Sequence, residues 1–181
     1  MRHLGRPQIA VGAGLLLILA VGLYFGLSHF LRDKSAEEAL SRLGMEITVP
    51  EDWKSKGFYG STFVASLRSD DVERASNHGE SGPKFKVDRG RSAGWSAYDA
   101  GFLIPDSAEV DEPQSVMVGS EHGASITFSW SLTTVRYVVV NVDSKRAYIF
   151  ELSAPTSQWE RYKDDFEDIL SSVRFKQPVC C

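Results

Sequence analysis

The rhythm of hydrophobic positions changes along this chain. From Pro7 to Leu31 no side chain carries a charge, and IAVGAGLLLILAVGLYFGL (Ile9 to Leu27) is almost continuously apolar. A helical membrane span takes about 20 such residues, so this stretch predicts a single transmembrane helix. SAEEALSRLG then puts Ala36, Ala39, Leu40 and Leu43 on one helical face, with Ser35 and Glu38 at capping-box spacing and Gly44 at the stop. After that the period falls to two. Met45, Ile47 and Val49 alternate with Glu46 and Thr48 and predict a half-buried strand running into Pro50, and Phe63, Ala65 and Leu67 turn to one face in the same way.

The strongest β signal begins at Gln114. SVMVG, ASITFSWSL, TTVRYVVVNV and RAYIFELSA are rich in Val, Ile, Tyr, Phe and Thr, the residues that suit a pleated surface. DSKR (Asp143 to Arg146) separates the last two and predicts an antiparallel hairpin. Within SITFSWS, Ile126, Phe128 and Trp130 point one way and Ser125, Thr127, Ser129 and Ser131 the other, the expected solvated face of an antiparallel sheet. Pro155 ends the last strand. Ser157 and Glu160 again have capping-box spacing, and Trp159, Tyr162, Phe166, Ile169, Leu170 and Val173 form one face of an amphipathic helix. SVRF returns to extended chain. The expected fold class is α+β: an N-terminal transmembrane helix, then an antiparallel sheet packed against a C-terminal amphipathic helix. The expected boundaries are 1–34 for the tail and anchor, 35–176 for the α+β domain and 177–181 for a tail. Residues 69–93, rich in Ser, Gly and charge, read as a long loop in which KFKV is the one strand candidate, and DSAEVDEP reads as an acidic turn region.

The apolar run is longer than a signal-peptide core and no A-x-A site follows it, so an uncleaved anchor is expected. Gly22 and Gly26 have the small-xxx-small spacing of packed membrane helices. Arg2 and Arg6 precede the run and Arg32, Lys34 and Arg42 follow it, which sets no decisive orientation. The preferred topology places the N-terminus in the cytoplasm and the domain outside it. Charge narrows the partners. Residues 35–181 hold 16 of the 20 Lys and Arg and 23 of the 24 Asp and Glu, a net charge of −7. An acidic domain argues against nucleic acid, which calls for a basic stripe. Cys180 and Cys181 end the chain and offer no metal-ligand or CxxC spacing.

Candidate chemistry is sparse. His78 and His122 each neighbour a glycine and a glutamate, Glu80 and Glu121. They could in principle hold a metal or move protons, but without a ligand spacing they read better as solvated loop histidines. No G-x-S-x-G, P-loop, G-x-G-x-x-G or H-E-x-x-H occurs. No catalytic residue, cofactor or metal is therefore expected. Lys84, Lys86, Arg89 and Arg91 form a basic cluster within an acidic domain, and Trp95 and Tyr98 follow it. Arg and aromatic side chains are the usual anchors of interfaces, which makes these six the expected partner-binding residues.

The closing RYVVVNVDSKRAYIFELSAP, WERYKDDFEDIL and SSVRF, together with ITVPEDW near the start, resemble the PsbP-like family of extrinsic photosystem and bacterial DcrB-like proteins. The correspondence covers 45 to 53 and 133 to 175, all fold-making residues, and does not extend to 66–113. The resemblance implies an antiparallel sheet flanked by helices and a role in supporting or assembling other proteins, often on the non-cytoplasmic side of a membrane. It brings no catalytic residues. The resulting expectation is a membrane-anchored, non-catalytic accessory or assembly module that binds or stabilises a membrane protein complex. The alternatives are an extracytoplasmic domain binding a small ligand or metal and, behind it, a hydrolase.

Overall fold

Period-two alternation from Gln114 to Pro155 builds the frame of the molecule. The structure, a computed structural model, describes residues 35–58, 62–68, 72, 73, 78, 81–90, 96 and 103–176. Residues 35–43 form helix α1. The strands are β1 (Met45–Glu46), β2 (Lys54–Phe58), β3 (Thr62–Ser66), β4 (Lys84–Arg89), β5 (Glu109–Val110), β6 (Gln114–Val118), β7 (Glu121–Trp130), β8 (Thr133–Asn141), β9 (Ala147–Pro155) and β10 (Arg174–Phe175), with helix α2 (Trp159–Ser172) between the last two. The main sheet runs β2-β3-β4-β9-β8-β7-β5, and β6 pairs with the other half of the same edge of β7. Every recorded pairing is antiparallel. The β8–β9 hairpin forms where DSKR predicts it. There the Asp143 carboxylate accepts the Lys145 and Arg146 backbone N–H groups, both at 2.8 Å, the side-chain closure expected of an Asx turn.

Helix α2 lays its apolar face across the sheet. Tyr162, Phe166, Ile169 and Leu170 are buried against Phe85, Val87, Val138, Phe150 and Leu152, and α1 adds Ala36, Ala39 and Leu43. Phe166 meets Trp53 edge-on, ring centroids 6.0 Å apart at 87°, and Trp159 at 5.5 Å. Full burial of side chains this size stabilises by about 1.5–3 kcal/mol each. Gly119 ties the sheet to the end of α2: its N–H donates to Leu170 O at 2.9 Å with φ at +59°. A Cβ there would stand 2.1 Å from the Val173 carbonyl oxygen, so only glycine fits.

Four expectations need correction. The strand expected from Met45 to Pro50 is paired only at Met45–Glu46, against Arg174–Phe175. Beyond it the Thr48 N–H donates to the Ser172 hydroxyl at 3.0 Å, a helix-end serine in place of a strand partner. The capping box at Ser157 and Glu160 does not form. Thr156–Gln158 is a 3-10 turn, and Gln158 opens α2 without a side-chain bond. The strand candidate KFKV within 69–93 does form, but as the start of an inner strand and not part of a loop: β4 is flanked by β3 and β9, with Lys84, Phe85 and Val87 fully buried. Finally, the hydroxyl row of β7 is not a solvated face. Ser125 is buried, the Ser129 and Thr134 hydroxyls are hydrogen-bonded at 3.0 Å, and Arg136 donates to Ser125 Oγ while pairing with Glu167 of α2.

Among the described residues no helix is long and apolar enough to cross a membrane. The expected span with Gly22 and Gly26, and Cys180 and Cys181, lie outside the described residues.

Candidate functional site

The second face of the sheet, turned away from α2, carries the chemistry. Strand alternation puts Lys84, Lys86 and Asp88 of β4 on this face while Phe85 and Val87 fill the helix side. Register then aligns rows across the sheet. Val64, Lys86, Glu151, Tyr137 and Ile126 stand opposite one another on successive strands, and Ser66, Lys84, Ser153, Val135 and Phe128 form the next row. Ile126, Phe128, Val135, Tyr137 and Val139 make a second apolar cluster, so both faces of the sheet are covered.

Glu151 is the centre of this face. It is buried, and its carboxylate accepts the His78 Nδ1–H at 2.9 Å. That bond raises the His78 pKa above its ordinary value. Burial opposes the rise, the Glu151 charge adds to it, and Lys84 and Lys86 pull against it. Lys86 pairs with Asp88 at 2.8 Å, and Asp88 also accepts the Thr62 hydroxyl. Burial works against the Lys86 charge, but the Asp88 charge and hydrogen bond, with Glu151 behind them, leave its pKa raised. The Tyr137 phenol is pushed up by burial first and then by Glu151 and Asp88, so it stays a neutral hydroxyl. Lys84 is fully buried opposite Ser66 and Ser153. Lysine in that position is rare unless its charge is matched.

Beside His78 a cavity of about 350 Å³ opens, walled by Pro105, Phe128, Trp130, Leu132 and Val135, with Ser131 and Thr133 at the turn. Its rim is the tip of the β7–β8 hairpin. Trp130 and Thr133 form the last pair, leaving Ser131 and Leu132 as a two-residue loop. Such loops need a positive φ to match strand twist, and here Ser131 supplies it at +57°. That conformation strains a residue with a Cβ. The turn leaves Leu132 81% exposed and Trp130 44% exposed, while the Thr156 N–H holds the Leu132 carbonyl at 2.8 Å.

The expected partner residues do not form one patch. Lys84 is buried and Lys86 is tied to Asp88, while Arg89 is exposed and pairs in register with Tyr148, on the side facing α2. Arg91, Trp95 and Tyr98 lie outside the described residues, as does Glu80. His122 is not in a loop: it sits exposed on β7 opposite Met117. Among the described residues no three His, Cys, Asp or Glu side chains gather to hold a metal. Glu151 and Asp88 were missed from sequence. A single acid inside the apolar strand AYIFELSAP was the available signal, because a charge in an inner strand requires a partner.

No protein-family model matches the chain, and no curated protein matches it. Solved structures do match in shape. Cyanobacterial PsbP (CyanoP) from Synechocystis sp. PCC 6803 is 14% identical, with 75% of this chain and 88% of that chain covered and a TM-score of 0.51. LpqN of Mycobacterium tuberculosis, described as involved in cell envelope biogenesis, is 14% identical over 74% of this chain and 83% of its own, with a TM-score of 0.49. A protein of Bacteroides thetaiotaomicron VPI-5482 is 12% identical over 74% of this chain, at a TM-score of 0.45. This chain spans 46% of that protein's length. The resemblance to PsbP read from the sequence thus holds at the level of the fold.

Proposed function

We propose that the chain is a membrane-tethered, non-catalytic binding module that docks on and stabilises a membrane protein complex, with its domain on the extracytoplasmic side. The observation that carries this reading is the β7–β8 hairpin tip, where a strained Ser131 holds Leu132 at 81% exposure beside Trp130. Strained backbone persists where the surrounding structure enforces it, and it clusters at binding and switch sites. Exposed large apolar side chains at one place are the core of a protein interface. The apolar run from Ile9 to Leu27 supplies the tether. Confinement to the bilayer raises the effective concentration at a partner, so a small contact suffices.

The test is purification of the full-length protein from its native membranes in mild detergent, with mass spectrometry of what accompanies it. A stoichiometric companion that is lost from Leu132→Asp is the expected result. A companion retained by both Leu132→Asp and Trp130→Asp moves the interface elsewhere, and a protein that runs alone removes the proposal.

A further inference from the structure

We infer that the cavity beside the hairpin binds a small amphipathic carboxylate, its apolar body against Phe128, Trp130, Leu132 and Val135 and its anionic head on His78. The inference rests on the hairpin face being a binding surface, and it names what enters the cavity itself. A volume of about 350 Å³ falls at the lower end of pockets that take small molecules, about 300–1,000 Å³. The lining joins five apolar side chains to the His78 imidazole, with Ser131 and Thr133 at the turn. That combination selects a ligand with an apolar body and one polar end.

His78 is built to present that end. Its Nδ1 is bound to Glu151 at 2.9 Å, and among the described residues nothing bonds to its Nε2. A ring fixed at one nitrogen by a buried carboxylate holds the other in a set direction, and a second-site bond of this kind orients the ring. Protonation supplies the sign. Among the described residues Lys86 pairs with Asp88 at 2.8 Å and His78 with Glu151 at 2.9 Å. Both ring nitrogens of a protonated His78 are donors, so with Nδ1 on Glu151 the Nε2–H is the one presented to a ligand beside the apolar side chains of the cavity. A carboxylate head accepts that Nε2–H, the stronger, charge-assisted kind of hydrogen bond. Exposure of 35% leaves the imidazole within reach of a ligand from solvent.

Full-length protein in lipid nanodiscs is titrated by calorimetry with 4-phenylbutyrate and, separately, with 4-phenylbutan-1-ol, with empty nanodiscs subtracted. At pH 6 the acid is expected to bind about ten-fold tighter than the alcohol, the scale of a hydrogen bond to a charged group. That advantage shrinks as pH rises through the raised His78 pKa. His78→Gln lowers the acid to the affinity of the alcohol, and Leu132→Ser weakens both alike. Equal binding of acid and alcohol by the unaltered protein, binding of neither, or an acid preference that survives His78→Gln overturns the inference. Partner capture is read separately. Capture that depends on Leu132, without any acid preference, sinks the ligand and leaves docking standing; acid preference without capture does the reverse.

Discussion

Replacing Glu151 with Gln removes one charge and almost no volume from the second face of the sheet. In the native molecule that carboxylate is buried, stands directly opposite Lys86 and diagonal to the buried Lys84, and accepts the His78 Nδ1–H. Its loss takes the negative charge from a buried face that carries Lys84 and Lys86. Breaking a buried pair by removing one partner costs about 3–5 kcal/mol, and Asp88 nearby moderates this towards the lower figure, about 3 kcal/mol. His78→Gln removes the other side of the visible hydrogen bond, but His78 is 35% exposed. A pair open to solvent on one side contributes about 1 kcal/mol or less. The two variants should therefore be unequal, with Glu151→Gln lowering the melting temperature by about 6–12 °C at roughly 2–4 °C per kcal/mol for a chain of this size, and His78→Gln by a third of that or less. The assay is thermal unfolding of the full-length protein in mild detergent, followed by intrinsic fluorescence. Equal losses would mean that Glu151 serves only His78, and a neutral Glu151→Gln would refute the view that this carboxylate offsets the positive charge of the buried face, Lys86 first.

The remaining predictions follow from single contacts. The folded pKa of His78 is raised, so its contribution to stability is complete below the unfolded value of about 6.5 and is lost as pH climbs through the folded one; melting temperatures across pH 5 to 9 should show this fall in the native chain and not in His78→Gln. Phe166→Ala deletes a buried ring set between Trp53 and Trp159 and should cost about 3–5 kcal/mol, measured by the same melt; a loss below about 1 kcal/mol would mean that α2 is not the lid of the main core. Gly119→Ala must displace the Val173 carbonyl and adopt a left-handed φ at about 1–2 kcal/mol, so its loss should exceed 1 kcal/mol, and a neutral result would refute the close approach. Ser131→Gly relieves the hairpin strain and should stabilise by up to about 1 kcal/mol while leaving the register of β7 and β8 unchanged, checked by amide hydrogen exchange.

The fold was legible wherever side-chain period and turn chemistry agreed. The hairpin at Asp143 works because a short acid between two β-branched strands closes the turn with its own carboxylate, and that is visible in DSKR. Helix α2 was legible because its apolar positions recur at helical spacing whatever they pack against. The strand after Met45 was over-read, because alternation alone cannot tell a ladder partner from a serine at a helix end. The capping box at Ser157 was over-read for a related reason. Its spacing is local, but the 3-10 turn entering α2 is set by the Thr156 N–H reaching back to Leu132.

The candidate site was hidden by the same charges that make it. KFKVDR looks like a solvated segment because its polar residues outnumber its apolar ones, and polar residues mark surfaces on average. The average fails when two inner strands carry opposite charges in register, as Lys86 and Glu151 do. Each charge alone argues against burial, and only the pairing, which is a property of the folded sheet, permits it. The sequence therefore contained two anomalies that cancel: an acid in the apolar AYIFELSAP and basic residues alternating with Phe85 and Val87. Read jointly they predict adjacent antiparallel strands.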